Sequence, residues 1–286
     1  MSDEKATELL DVLDLERIER NLYRGQNESR QGRLFGGQVL AQALAAADKT
    51  VREESEPLRP CHSLHGYFLR PGRHDLPVLY KVERIRDGRS FSTRRIVAIQ
   101  NGEAIFSMDA SFQLEEAGLH HQDEMPAYPD PDELEDDLDV AQRRGETKVA
   151  SGWSLRSRPF EHRSVYPIGE EVRDDFRNPI WIRFRKQLPD NPSLHQYLLA
   201  YASDMGFVST SMLPHRESVG RDRIQMASLD HALWFHQSFK ADDWILYIKE
   251  TTTAAHARGY NRGLFFDREG KLIASALQEG LMRVRE

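Results

Sequence analysis

The chain repeats itself, and that limits what it can fold into more than any single motif does. Val78-Leu79-Tyr80-Lys81-Val82-Glu83 recurs as Ile245-Leu246-Tyr247-Ile248-Lys249-Glu250, 167 residues later. Asn101-Gly102-Glu103-Ala104-Ile105 answers to Glu269-Gly270-Lys271-Leu272-Ile273 at an offset of 168. His65-Gly66-Tyr67-Phe68-Leu69 answers to His231-Ala232-Leu233-Trp234-Phe235 at an offset of 166. Blocks in conserved order with a drifting offset are the mark of a duplicated unit with small loop changes. Each unit must then bury its apolar face against the other, and one copy can carry chemistry while the other supports it.

The unit itself reads as a long helix followed by an antiparallel meander. Gly36-Gly37 opens an Ala- and Leu-rich run, with Val39, Leu40, Ala43, Leu44 and Ala47 at helical spacing. Strands are expected at Ser63–Leu69, Val78–Arg86, Ser90–Gln100 and Ala104–Gln113, with hairpin signals at Asp87-Gly88 and Asn101-Gly102. In the second unit, strands are expected at Pro159–Pro167 and Pro179–Lys186. A helix from Ser193 to Asp204 starts after Asp190-Asn191-Pro192 and ends at Gly206. Further strands are expected at Gln225–Phe235, Trp244–Thr251, Ala257–Phe266 and Leu272–Arg283.

The domain reading is therefore 1–115 for a first repeat led by an amphipathic helix over residues 7–22. An acidic connector follows at 116–150, with a short helix near Glu133–Arg144 and little to bury, and then a second repeat at 151–286. A net charge of −7 and a pI near 5.9 argue against a general nucleic-acid binder. Cys61 is the single cysteine, so no intrachain disulfide can form and a zinc cluster is unsupported. No apolar run reaches the ~18 residues of a membrane span, and the acidic start has no secretory h-region. A reducing cytoplasm is the expected location.

Registering the helices by Gln38-Val39-Leu40 on Gln196-Tyr197-Leu198, an offset of 158, turns the repeat into a subtraction. Asp204 then aligns with Ala46, Ser228 with His62 and Gln278 with Ala110. Asp204 lies about 20° from Tyr197, on the flank of the apolar stripe Leu194, Tyr197, Leu198, Tyr201 and Met205. Desolvation at that edge would raise its pKa and suit it as a base. Strict alternation puts Ser228 on the face of Met226, Asp230, Ala232 and Trp234. Gln278 interrupts an apolar strand and needs buried partners, which Asp204 and Ser228 could supply. Gly36 and Gly37 permit close backbone approach of a ligand, and Tyr197 and His62 are further candidate substrate contacts. Asp230-His231 reads as structural. There is no G-x-S-x-G elbow, P-loop or H-E-x-x-H motif, and His62 and His65 are poor metal partners.

Several motifs together resemble the bacterial acyl-CoA thioesterase II family across nearly the whole chain. They include Tyr23-Arg24-Gly25-Gln26, Phe35-Gly36-Gly37-Gln38-Val39, His62-Ser63-Leu64-His65-Gly66-Tyr67-Phe68-Leu69-Arg70-Pro71-Gly72 and Arg86-Asp87-Gly88-Arg89-Ser90-Phe91. In the second half they include His195-Gln196-Tyr197-Leu198-Leu199-Ala200-Tyr201-Ala202-Ser203-Asp204, Leu229-Asp230-His231-Ala232-Leu233-Trp234-Phe235-His236, Ala257-Arg258-Gly259 and Gln278-Glu279-Gly280-Leu281-Met282-Arg283.

The resemblance implies an α+β double hotdog: two repeats, each a long helix on an antiparallel β-sheet, joined within one chain. It implies hydrolysis of fatty acyl-CoA, with coenzyme A as part of the substrate and no separate cofactor or metal. It implies a homodimer or homotetramer. The family's catalytic Asp, Ser or Thr, and Gln fall on Asp204, Ser228 and Gln278. Many members carry Thr where this chain has Ser228. Water activated by Asp204 and direct attack by the carboxylate both fit the residues. Rival readings are a double-hotdog enoyl-CoA hydratase or dehydratase, which needs an Asp/His pair, and a silent acyl-CoA-binding scaffold.

Overall fold

The computed structural model describes residues 2–29, 32–53, 57–145, 158–166, 176–220 and 223–285. The chain opens with α1 (Ser2–Leu13) and a short hairpin, β1 (Glu16–Glu19) and β2 (Leu22–Gly25). The first long helix, α2 (Gly36–Arg52), precedes β3 (Cys61–Phe68), β4 (Val78–Asp87), β5 (Phe91–Gln100) and β6 (Glu103–Gln113). After the connector helix α3 (Asp137–Arg143) come β7 (Phe160–Ser164), β8 (Arg177–Phe184) and the second long helix, α4 (Pro192–Ser203). A 3₁₀ segment at Val208–His215 leads to β9 (Ile224–Ser228) and β10 (Asp230–Phe235). The chain closes through β11 (Ile245–Ala255), β12 (Arg258–Asp267) and β13 (Leu272–Val284).

The leading helix is shorter than its apolar pattern predicts. It ends at Leu13, and Ile18 belongs to the β1 strand instead. Asn21, at φ 63°, makes the turn of that hairpin. Apolar residues at mixed spacing fit both a helix and a strand over so short a run, and pairing of β2 with β4 decides it.

All the described strands form one antiparallel sheet. Its order, β1-β2-β4-β5-β6-β3-β10-β13-β12-β11-β8-β7, reads as one arrangement followed by its mirror order, with β9 beside β13. The two halves meet at β3 and β10, where His65 pairs with Ala232, flanked by Gly66–His231 and Leu64–Leu233. A two-fold pseudo-axis passes through that pair. At Asn101-Gly102, φ values of 50° and 78° give the tight turn that the sequence signals there.

Both long helices lie inside the sheet and pack on each other head to tail. From Gly37 to Val51 nearly every α2 residue is buried, and most of α4 is buried too. Ala41, Ala43, Ala45, Ala46 and Ala47 let neighbours approach closely, and Leu40 and Leu44 fill the centre. Each of those leucines contributes about 2 kcal/mol by burial. One apolar core runs through both halves.

The connector has more to bury than its composition suggests. Met125, Tyr128 and Leu134 cover a second cluster of Trp181, Trp244, Leu246, Ile248 and Phe266 on the outer face of the second half. The Trp181 indole N–H donates to the Pro129 carbonyl at 2.9 Å, and Arg268 pairs with Asp130 and Asp132. The expected boundary at 150/151 and the end of the Pro159–Pro167 strand lie outside the described residues.

Candidate active site

Asp204 caps the carbonyl end of α4 with φ −84° and ψ −6°, and Gly206 at φ 68° turns the chain away. A carboxylate at that end opposes its own helix dipole. The cost is offset from the other helix, because Asp204 faces the amino end of α2, where a negative charge is favoured. The Gly37 backbone N–H donates to it. Gln278 Nε2 donates to Asp204 Oδ1 at 2.7 Å, and Ser228 Oγ reaches the same oxygen at 3.4 Å. Burial outweighs these bonds and pushes the Asp204 carboxyl up to about 6.

Gly36 and Gly37 sit where a side chain would meet the neighbouring elements. A Cβ on Gly36 would sit 2.7 Å from Asp204 Oδ2 and 2.9 Å from the Phe68 ring. A Cβ on Gly37 would lie 2.4 Å from the Tyr201 carbonyl oxygen. At Gly37 the obstacle is the backbone of the other helix, which could not lie so close with a side chain there; at Gly36 it is the ends of two side chains.

Ser228 reaches the site by a route that strict alternation misses. The expected strand Gln225–Phe235 is broken at Leu229 into β9 and β10. The Leu229 N–H donates to the Glu279 carbonyl, and the Glu279 N–H donates to Asp230 Oδ1 at 2.7 Å. One interposed residue reverses the alternation, as at a bulge. Ser228 and His231 therefore both face the interior, while Asp230 lies by His65 and Trp234 stays exposed.

Behind Gln278 stands a group not anticipated from the sequence. His231 is fully buried, with Nδ1 3.1 Å from Gln278 Nε2 and Nε2 2.9 Å from Ser203 Oγ. Burial lowers its pKa to about 3, so the ring is neutral at ordinary pH. Gln278 Oε1 and the Nδ2 of Asn261, the residue opposite it on β12, have no hydrogen-bond partner among the described residues.

Two candidate contacts lie elsewhere. Tyr197 donates its hydroxyl to Asp48 Oδ2 at 2.5 Å, and His62 bonds Ser111 Oγ at 2.8 Å and meets the Phe91 ring edge-on. Neither is beside Asp204. His62 lines a cleft of about 1950 Å³ between the two halves, near the amino end of α4, with Pro192, Gln196 and His236.

The helix register changes as well. Gly36 and Pro192 begin the two helices, an offset of 156 rather than 158. Ser193, next to Pro192, holds Asp48 at 3.3 Å, just as Gly37, next to Gly36, holds Asp204. The counterpart of Asp204 is therefore Asp48, not Ala46. In the strands, Ser228 pairs with Gly280 as Cys61 pairs with Phe112, so Ser228 answers to Cys61 rather than His62. Ala232 pairs with Leu277 as His65 pairs with Asp109, which makes Leu64 the counterpart of His231. Gln278 keeps Ala110, since Asn261 pairs with Gln278 as Arg94 pairs with Ala110. His231 is therefore not the repeat of His65.

Two family models match the chain. The family model described as Acyl-CoA thioesterase matches residues 148–281, and that described as Acyl-CoA thioesterase N-terminal domain matches residues 26–113. The chain is 38% identical to acyl-coenzyme A thioesterase 8 of Mus musculus, over 96% of this chain and 88% of that protein. It is 35% identical to acyl-CoA thioesterase 2 of Haemophilus influenzae, over 97% and 98%. The crystal structure of an acyl-CoA thioesterase II, TesB2, from Mycobacterium marinum superposes with a TM-score of 0.79. It is 39% identical, with 97% of this chain and 99% of that one covered.

Proposed function

The chain belongs to the acyl-CoA thioesterase family, and from that premise we propose that it hydrolyses fatty acyl-CoA with Asp204 as the general base. The observation that carries this reading is a buried carboxylate at the amino end of α2, held by an amide N–H and a backbone N–H. With a pKa of about 6 it is mostly ionised at neutral pH, yet basic enough to accept a proton.

Asp204 removes a proton from a water molecule, and the water oxygen attacks the thioester carbonyl carbon. Gln278 and Ser228 hold the carboxylate and orient the water. The oxyanion develops near the amino end of α2, where the helix dipole favours negative charge. Collapse of the tetrahedral intermediate breaks the C–S bond, and the departing thiolate recovers the proton from Asp204. The products are a fatty acid and coenzyme A. Water, a base and an orienting shell suffice for a good leaving group such as a thiolate, so the proposal includes no cofactor or metal.

A hydratase or dehydratase would need a histidine free to move protons. His231 lies 3.9 Å from Asp204, but both of its ring nitrogens are engaged. A silent binder would need no ionisable base in the site. The proposed physiological form is a cytoplasmic homodimer or homotetramer, supported by exposed Tyr67, Leu69 and Trp234 around the central strands. No helix among the described residues is long and apolar enough to cross a membrane.

Thiol release from a medium-chain acyl-CoA tests the reading. Folded Asp204→Asn should lose at least about 100-fold in kcat. Retention of activity within about threefold would remove Asp204 as the base.

A further inference from the structure

We propose that His231, oriented by Ser203, is a positioning residue that keeps the Gln278 amide nitrogen turned toward Asp204 throughout turnover. The proposal rests on the reading of Asp204 as base and Gln278 as its orienting partner.

The hydrogens can be counted along the chain of contacts. Ser203 Oγ donates its hydrogen to the Ala200 carbonyl at 2.8 Å, so it accepts from His231 Nε2–H at 2.9 Å. With a neutral ring, His231 Nδ1 is then left with a lone pair. That lone pair accepts one hydrogen of Gln278 Nε2 at 3.1 Å. The other hydrogen goes to Asp204 Oδ1 at 2.7 Å. Both amide hydrogens are committed, and Gln278 Oε1 is directed away from the carboxylate.

The reaction makes this second hold necessary. An ionised Asp204 by itself draws an N–H toward it. Once it has taken the proton from water it is a neutral acid, which can donate as well as accept. The amide could then turn over and present its oxygen to the acid, trapping the proton that the thiolate must recover. His231 Nδ1 offers only a lone pair, so it holds the nitrogen in place in either state of Asp204.

The other half of the molecule supports the assignment independently. There the aspartate is kept, as Asp48, but Gln278, His231 and Ser203 are replaced by Ala110, Leu64 and Ala47. Tyr80 meanwhile matches Tyr247, so polar interior positions are not lost indiscriminately. Ser203 and His231 disappear together with the amide they would serve. A purely structural His–Ser pair has no reason to follow Gln278.

The experiment is steady-state hydrolysis of a medium-chain acyl-CoA by full-length His231→Leu, His231→Asn, Ser203→Ala, Gln278→Ala and the His231→Leu/Gln278→Ala double variant. His231→Leu should lower kcat about 10- to 100-fold with KM within about threefold. His231→Asn retains an acceptor near the Nδ1 position and should recover most of that loss. Ser203→Ala removes the acceptor that selects the tautomer and should lower kcat about 3- to 10-fold. In the Gln278→Ala background, His231→Leu should cost less than about threefold more. Full additivity of the two substitutions, a loss confined to KM, or equal losses for Leu and Asn would overturn the proposal. If His231→Leu does not fold, unchanged kcat in Ser203→Ala does the same. Wild-type kcat in Gln278→Ala would instead overturn the underlying reading of the site, a result distinct from failure of the His231 arm.

Discussion

Asp48 stands at the amino end of α4 where Asp204 stands at the amino end of α2. One carboxylate meets uncharged donors and the other is paired with an arginine. Asp204 meets an amide, a hydroxyl and a backbone N–H. Asp48 is gripped by Arg52 Nε at 2.6 Å, Tyr197 Oη at 2.5 Å and Ser193 Oγ at 3.3 Å. The duplication preserved the geometry of two helix ends facing two acids, and the surrounding side chains gave the two acids different partners.

Exchange of the two acids should therefore separate function from stability. Asp48→Ala leaves the Arg52 and Tyr197 groups without their partner and should destabilise the fold by about 2–4 kcal/mol, while kcat stays within about threefold. Urea unfolding together with thiol-release kinetics measures both. A large loss of kcat in a stably folded Asp48 variant would mean that the first half also carries chemistry.

Activity should follow the ionisation of Asp204. Its pKa is raised to about 6, so kcat/KM should rise with pH through that value and level off above it. The stability effect has the opposite sense. A carboxyl whose pKa is higher folded than unfolded binds more protons in the native state, so its contribution falls as pH rises from about 4 to 6. At pH 8, Asp204→Asn should be more stable than the wild type by up to about 3 kcal/mol, and near pH 4 the difference should shrink. Denaturation of the two proteins at both pH values measures this; a stability difference that does not vary with pH would contradict the buried-acid reading.

The two glycines should fail in different ways. In Gly37→Ala the new methyl meets the Tyr201 carbonyl, which belongs to the packed α4 backbone and cannot step aside. A loss of about 2–3 kcal/mol in stability is expected from separating the helices. In Gly36→Ala the methyl meets the Asp204 carboxylate and the Phe68 ring, both ends of side chains. Stability should change by less than about 1 kcal/mol while kcat falls at least about 10-fold. Thermal melts and kinetics on both variants distinguish the outcomes.

Ser228 contributes a long contact of 3.4 Å to Asp204. Ser228→Ala should lower kcat about 3- to 30-fold, and Ser228→Thr should stay within about threefold because the hydroxyl is retained. Equal losses for Ala and Thr would argue that bulk at this position, rather than the hydroxyl, governs the rate.

Much of this was legible before any contact was known. The double unit, the buried helices and most strand limits within a residue or two follow from residue patterns, and Asp204, Ser228 and Gln278, singled out in the sequence, do meet in the structure. The strand block Tyr80 to Tyr247 holds its offset of 167 through β4, β5, β11 and β12. The β1–β2 hairpin, the buried side of the connector and the role of His231 were not legible. The helix offset is 156 rather than 158 and the strand offset at His231 is 167 rather than 166, so Asp48, not Ala46, answers to Asp204. Ser228 and His231 likewise answer to Cys61 and Leu64, not to His62 and His65.

The sequence by itself determined the elements and their order, because helix and strand periodicity is a relation between near neighbours that the residue types carry directly. Only the tertiary structure decided which acid is paired with an arginine and which meets uncharged donors. That depends on how α2 and α4 slide against each other and on the single residue, Leu229, that turns Ser228 inward. Such registers are set by contacts between residues more than a hundred positions apart, such as Gly36 with Asp204 and Ser193 with Asp48. A shift of one residue reverses the face of a strand and a shift of two carries a helix side chain to its far side. The side chains of the pairing were therefore visible in the sequence, and their meeting was not.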